Sequence, residues 1–174
     1  MHRTHALITL RNAEEKDAAL LADWWNDGRV MAHAGFPNGL MTTAEKIAAS
    51  LTTDTDFTRR RLILEYANAP IGEMSYRVVS EEACEIGIKI CDFSMQEKGI
   101  GRKALSLLIQ GLFEMGFTRI LLDTNLTNTR AQHVYELLGF RKTGVRYDSW
   151  RDQLGNLQSA VDYELTRETF HSFL

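Results

Sequence analysis

The sequence predicts an α+β domain, with a mixed, mostly antiparallel central sheet and helices on both of its faces. Three strand-like runs follow one another with no helix between them, which favours antiparallel pairing. A later strand–helix–strand step favours a parallel crossover. The 174 residues, 44% hydrophobic with only two prolines, suit one globular domain spanning 1–174 with an ample core.

Residues 5–10 alternate and read as the opening strand. Residues 13–27 carry Ala18, Leu21, Trp24 and Trp25 at helical spacing, and Gly28 reads as their stop. A long irregular connection follows over 26–40, with three glycines and Pro37. Thr42 or Thr43 then caps a helix continued by Lys46, Ile47 and Leu51, and 52–57 reads as a loop. Strands at 60–66 and 71–79 are joined by the turn Ala67-Asn68-Ala69-Pro70, and 83–91 is the third strand of the series. The next helix runs to about Met115 and ends at Gly116. Ile120, Leu121 and Leu122 make 119–124 a buried strand. Thr127 or Asn128 caps a helix through Leu138, and Gly139 stops it. Strands at 140–147 and 158–165 close the order β-α-α-β-β-β-α-β-α-β-β.

A formal net charge of −3 argues against general nucleic-acid binding. Cys84 and Cys91 lie seven residues apart in one predicted strand, on opposite faces, where a disulfide between them is excluded. Without a signal peptide or a long apolar run, the expectation is a reducing cytoplasm and no membrane partner. His2, His5, His33, His133 and His171 are scattered, so no metal site is expected.

The segment with the most chemistry is Gln96-Glu97-Lys98-Gly99-Ile100-Gly101-Arg102, between a strand and a helix start. The first turn of a helix has amides without internal partners and carries partial positive charge. Glycines let an anion approach such amides closely, so the segment reads as a pyrophosphate cradle. A plain turn is the competing reading. The spacing is not that of a Walker loop, and Ala104 stands where a dinucleotide fingerprint needs its third glycine.

This order, with Gln96-Glu97-Lys98-Gly99-Ile100-Gly101 matching a Q/R-x-x-G-x-G/A signature, resembles the GNAT superfamily of N-acetyltransferases. Asn128-Thr129-Arg130-Ala131 followed by Tyr135-Glu136-Leu137-Leu138-Gly139-Phe140 matches that family's N-x-x-A…Y-E-x-x-G-F segment. Together with the strand Glu85–Cys91, which ends just before the first motif as the family's central strand does, the two motifs cover about residues 83–142. Trp24-Trp25-Asn26-Asp27 sits where the branch acetylating ribosomal-protein N-termini, polyamines or aminoglycosides often has a W-x-N/D segment. Lys98 stands where the family often has arginine, which keeps the charge.

The resemblance implies the GNAT acyl-CoA N-acyltransferase fold, with acetyl-CoA as co-substrate and no metal. The cofactor would lie between strands 83–91 and 119–124. Its contacts are implied for Ile88, Ile90, Cys91, Gln96, Glu97, Lys98, Gly99, Ile100, Gly101, Arg102, Asn128 and Arg130. Asn128 is a helix cap on the residue-level reading, and both roles can hold together. Tyr135 matches the tyrosine that protonates the departing thiolate, its competing reading being a core tyrosine. A phenol with a pKa of about 10 arrives protonated at neutral pH.

The amine side needs a base, because deprotonating an ammonium of pKa about 10.4 costs about 4–5 kcal/mol at pH 7. Glu85, at a position where some members carry a glutamate base, is the candidate; a salt-bridge partner, with Lys89 on the same face, is the alternative. Asp27, His33, Asp148 and Asp152 are candidates to attract a cationic amine, and Trp24, Trp25, Phe36 and Trp150 to line the acceptor cleft. Solvated loop charges and core aromatics are the alternative for each. Cys91 lacks an activating neighbour, which disfavours an acyl-enzyme. The expected function is transfer of acetyl to a primary amine of a small molecule or protein N-terminus by direct attack. A non-catalytic acyl-CoA-binding sensor or interaction domain is the alternative. Relatives of this kind are often homodimers.

Overall fold

A computed structural model describes the whole chain, Met1–Leu174. Its strands are β1 (His2–His5), β2 (Ile8–Asn12), β3 (Arg59–Tyr66), β4 (Ala69–Val78), β5 (Ala83–Ile90), β6 (Arg119–Asn125), β7 (Arg141–Arg151) and β8 (Leu157–Thr166). They form one eight-stranded sheet in the order β1-β2-β3-β4-β5-β6-β8-β7. Only the β5–β6 pair is parallel. The expected mixed, mostly antiparallel sheet is therefore present.

Its helices are α1 (Ala18–Asn26), α2 (Gly28–Met31), α3 (Ala44–Leu51), α4 (Ile100–Glu114) and α5 (Thr129–Leu137). The capping chemistry read from sequence holds at two of them. Thr43 accepts from the Lys46 amide to open α3, and Asn128 accepts from the Ala131 amide to open α5.

Four elements differ from the sequence reading. The single opening strand is a hairpin, β1–β2, turning at Ala6 with φ 49 and Leu7 without the Asn-Gly signal that marks such turns. The β3–β4 turn is only Ala67-Asn68, both at positive φ, while Pro70 lies within β4 beside a register shift that spares the missing N–H. Helix α1 begins later than expected, because Glu15–Asp17 form a separate 3-10 turn held by Asp17. The connection over 26–40 is partly helical: Gly28 opens α2 rather than only ending α1, and a 3-10 turn spans Ala32–Ala34. A Cβ at Gly28 would lie 1.9 Å from the Pro37 carbonyl oxygen, so close backbone approach requires glycine there.

The larger core joins α4 and α5 to one sheet face, around Leu62, Met74, Tyr76, Leu105, Leu108 and Tyr163. The smaller core joins α1 and α3 to the other face through Leu21, Ile47 and Ile63. A buried ion pair edges that smaller core. Arg61 donates Nη2 to Asp54 Oδ1 at 2.7 Å and Nε to Oδ2 at 2.8 Å, with side-chain exposures of 8% and 3%. Its remaining donors reach the hydroxyl and carbonyl of Ser50.

Burial alone would raise the Asp54 pKa, but the Arg61 hydrogen bonds outweigh it and hold the carboxyl below the usual range. The pair's contribution is therefore complete above the ordinary carboxylate pKa and lost as pH falls through the lowered one. Asp54→Ala should cost about 3–5 kcal/mol in urea unfolding, because it leaves Arg61 buried without a counter-charge. A loss within error of zero would show that the pair is solvent-screened.

Candidate active site

The β5–β6 register ends after three pairs, Ala83↔Arg119, Cys84↔Ile120 and Glu85↔Leu121. Beyond Glu85 the sheet divides: β5 continues along β4, and β6 continues along β8. The Cys91 amide bonds Ile71 of β4 at 2.8 Å. By alternation, the amide groups of Ile88 and Ile90 therefore face the side from which β6 has departed. A cleft of about 1260 Å³ opens at this division, lined in part by Ile88, Ile90, Gln96, Gly99, Gly101, Asn128 and Tyr135.

Helix α4 starts at one wall of the cleft. Its N-cap is Gly99 at φ +75, and no side chain caps its first amides, in contrast with α3 and α5. A Cβ at Gly101 would meet only Ile90 Cδ1, at 3.5 Å, so the fold itself does not demand glycine there. A bare helix start and a small residue are the chemistry an anion cradle needs.

The signature turn is braced from both sides. Gln96 donates Nε2 to the Ile90 carbonyl at 2.9 Å. Arg130, from α5, donates to Gln96 Oε1 at 3.0 Å and pairs with Glu97 at 3.1 Å. Gln96, Glu97 and Arg130 thus form one network that ties the end of β5 to α5. Arg102 lies 4.8 Å from the Phe173 ring centroid, and the Phe173 amide bonds Ser106 Oγ. Sequence reasoning had no signal for that tail, since Phe173 follows the last strand with no periodicity. Of the residues implied for the cofactor, Cys91 and Ile100 are buried, and Cys91 falls just past the end of β5. Cys91, Lys98 and Ile100 do not line the cleft.

Tyr135 reaches the cleft from α5, its ring held edge-on by Phe140 at 5.8 Å and Tyr163 at 6.0 Å. Its hydroxyl makes no hydrogen bond within the chain. Burial, with the charge of Asp123 adding, pushes its pKa up to about 12, so it stays a donor at any physiological pH. Glu85 lines the same cleft from the opposite sheet face, at the point of division. Arg77 donates Nη2 to Glu85 Oε2 at 2.7 Å, and Oε1 is free of protein partners.

Lys89 does not pair with Glu85 as alternation on one face allowed. It bonds Glu73 Oε1 at 3.0 Å, because the β4–β5 register sets Lys89 opposite Glu73 and Glu85 opposite Arg77. The same Glu73 oxygen accepts from Trp25 Nε1 at 2.8 Å.

Most residues named for the acceptor cleft have other work. His33 and Trp150 line it, whereas Asp27, Asp148, Asp152, Trp24, Trp25 and Phe36 do not. Asp27 caps α2 and pairs with Arg29 at 2.6 Å. Asp152 accepts from the amides of Leu154 and Asn156 and builds the β7–β8 turn. Trp24 and Trp25 pack against the smaller core. The charged lining on that side is instead mostly basic, with Arg29, Arg59, Arg77 and Arg146 beside Glu85 and Asp123.

The mixed, mostly antiparallel eight-stranded sheet with its five helices matches the GNAT fold. Residues 8–141 match the acetyltransferase (GNAT) domain, and the chain belongs to this family of acyltransferases. It is 28% identical over 154 residues to an aminoglycoside N(6')-acetyltransferase type 1 of Klebsiella pneumoniae, covering 79% of this chain and 76% of that one. A ribosomal-protein alpha-N-acetyltransferase in complex with coenzyme A superposes with a TM-score of 0.84 at 16% identity, over 95% of this chain and 98% of that one. A spermidine N-acetyltransferase from Vibrio cholerae, in complex with CoA and spermine, gives 0.82 at 21%, over 95% and 98%. No helix is long and apolar enough to cross a membrane.

Both cysteines are free and buried. Burial pushes each thiol up to about 12, and the charge of Glu73 adds to this at Cys91. With thiolate so scarce, neither should react with a disulfide reagent at pH 8 in the folded protein, and both should react in denaturant. Labelling of Cys91 before unfolding would contradict its enclosure.

Proposed function

We propose that this chain transfers acetyl from acetyl-CoA to a primary amine within a ternary complex, without an acyl-enzyme. The observation that carries the reading is the division of the sheet at Glu85, with the uncapped start of α4 and the free Tyr135 hydroxyl both opening onto it. The residues present suit the group. The first amides of α4 and the neighbouring Arg102 would hold the pyrophosphate. The unpaired backbone of Ile88 would hold the pantetheine arm as an added strand does. Asn128 and Arg130 keep α5 and the signature turn in register beside it.

When bound, acetyl-CoA supplies a thioester carbonyl open to direct attack by the amine. Tyr135 would donate a hydrogen bond as charge develops on sulfur and deliver its proton to the leaving thiolate, and the second proton shed by the attacking nitrogen would restore the phenol. Its raised pKa makes it a poor acid in isolation and a persistent donor, so its effect is felt most where negative charge appears. Glu85 receives the ammonium proton through its free Oε1, directly or by one water, while Arg77 holds Oε2 and fixes the carboxylate in place. A donor to sulfur and a free carboxylate oxygen on one cleft favour a catalyst over an idle acyl-CoA-binding module.

Acetyl-CoA should raise the melting temperature of the purified protein, with NAD and ATP as inert controls. A hundredfold excess over Kd corresponds to about 2.7 kcal/mol. Gly101→Glu should abolish this shift by intruding on the cradle with negative charge, and a normal shift in that variant would refute the cradle. Tyr135→Phe should lower kcat by roughly 10²–10⁴-fold, the range of general-acid contributions, with little change in acetyl-CoA affinity. Unchanged turnover would remove Tyr135 as the acid.

A further inference from the structure

Arg59, at the start of β3, and Arg77, near the end of β4, are direct register partners. Partners on antiparallel strands project to the same face, and like charges set opposite each other destabilise the pairing. Both side chains line the cleft and are half exposed, at 50% and 58%. Continuing across the sheet, Arg77 is the register partner of Glu85.

The nearby carboxylates do not balance this row. Arg77 uses one nitrogen on Glu85, at 2.7 Å, and has Nε and Nη1 free. The Arg59 side chain makes no hydrogen bond and is held only by a longer ion pair. Its nearest acid is Asp54, at 3.4 Å, and both Asp54 oxygens are already held by Arg61 at 2.7 and 2.8 Å. The other arginines on this side have acids of their own, Arg29 with Asp27 and Arg146 with Asp123 and Asp162. Arg59 therefore shares Asp54 with Arg61 while Arg77 has only Glu85, and three guanidinium groups face two carboxylates.

A guanidinium fork matches carboxylate and phosphate geometry, and a cationic acceptor arm would meet like charge here. We infer that the acceptor is a primary amine that also bears an anionic group, carboxylate or phosphate, bound by Arg59 with the free nitrogens of Arg77. Two inter-strand steps separate Arg59 from Glu85, about 10 Å between backbones, so amine and anion lie within roughly that distance of each other. This inference rests on the transferase reading above and narrows its substrate class. It sets the chain apart from the relatives whose names specify aminoglycosides or spermidine.

The test is calorimetric titration in two stages, with CoA in place of acetyl-CoA so that nothing turns over. CoA is titrated first. The CoA-saturated protein then receives primary amines of equal length ending in carboxylate, phosphate, carboxamide or ammonium. It also receives tripeptides with a free N-terminus and Glu, Gln or Lys at the second position. Anionic members should bind at least tenfold tighter than their neutral counterparts, with the cationic ones weakest. The preference should shrink with added salt. Tight binding of the short amines identifies a small-molecule acceptor, whereas tight binding of only the Glu tripeptide identifies a peptide N-terminus.

Arg59→Gln should erase the preference and Arg59→Glu should reverse it. Undiminished CoA binding by both variants certifies their fold. Equal or tighter binding of the carboxamide or ammonium members, or binding of none, overturns the inference and leaves the cofactor reading intact. Failure of the parent protein to bind CoA overturns both.

Discussion

The parting of β5 and β6 after Glu85 is the constraint on which the rest of the site depends. Three register pairs hold the strands together, and then each follows its antiparallel neighbour away from the other. Backbone groups that a continuous sheet would satisfy are left facing a cleft, and an unsatisfied strand edge is a template for an extended ligand. Helix α4 follows β5 directly, so its unpaired amides arrive at the same opening. One topological feature thus supplies both the open edge and the uncapped helix start.

The division is held open by polar contacts on one side and packing on the other. Gln96 occupies the Ile90 carbonyl and is itself held by Arg130, so the turn before α4 cannot slide along β5 without breaking two bonds. Tyr135, Phe140 and Tyr163 fill the space under the other wall with edge-on aromatic contacts. On the opposite face, Glu73 links Trp25 of α1 to Lys89 of β5, which fastens the smaller core to the cleft floor. The fold therefore stiffens the site from both faces.

What the sequence made legible follows from how local each signal was. Thr43 and Asn128 were readable as caps because a cap depends on residues three apart. The Gln96–Arg102 segment was readable because strand, glycine turn and helix start are contiguous. Arg59, Arg77 and Glu85 lie on three strands, and only the register between those strands reveals that they form one row. The acidic loop residues follow their local alternative for a related reason. Asp27 and Asp152 bear the charge expected of an amine-binding cleft, but short polar side chains in loops are recruited first by nearby amides. The β1–β2 hairpin escaped notice because Ala6 adopts a left-handed conformation that its side chain does not advertise.

The same separation between backbone and side chain explains why fold similarity stops short of the acceptor. The division of the sheet and the start of α4 are backbone properties, and relatives as low as 16% identical share the fold that carries them. The acceptor inferred above would be met by side chains on one sheet face, and each can change without disturbing the strand pairing beneath it. Arg77 shows how closely the two duties are joined in this chain. With one nitrogen it holds the carboxylate proposed to take the proton, and its other nitrogens are free for the anion inferred beside its register partner Arg59. An acceptor bound by that arginine pair would have its amine drawn toward Glu85 by the same contact that recognises its charge. Recognition and alignment would then be a single electrostatic event, which is the form of binding energy that proximity converts most directly into rate.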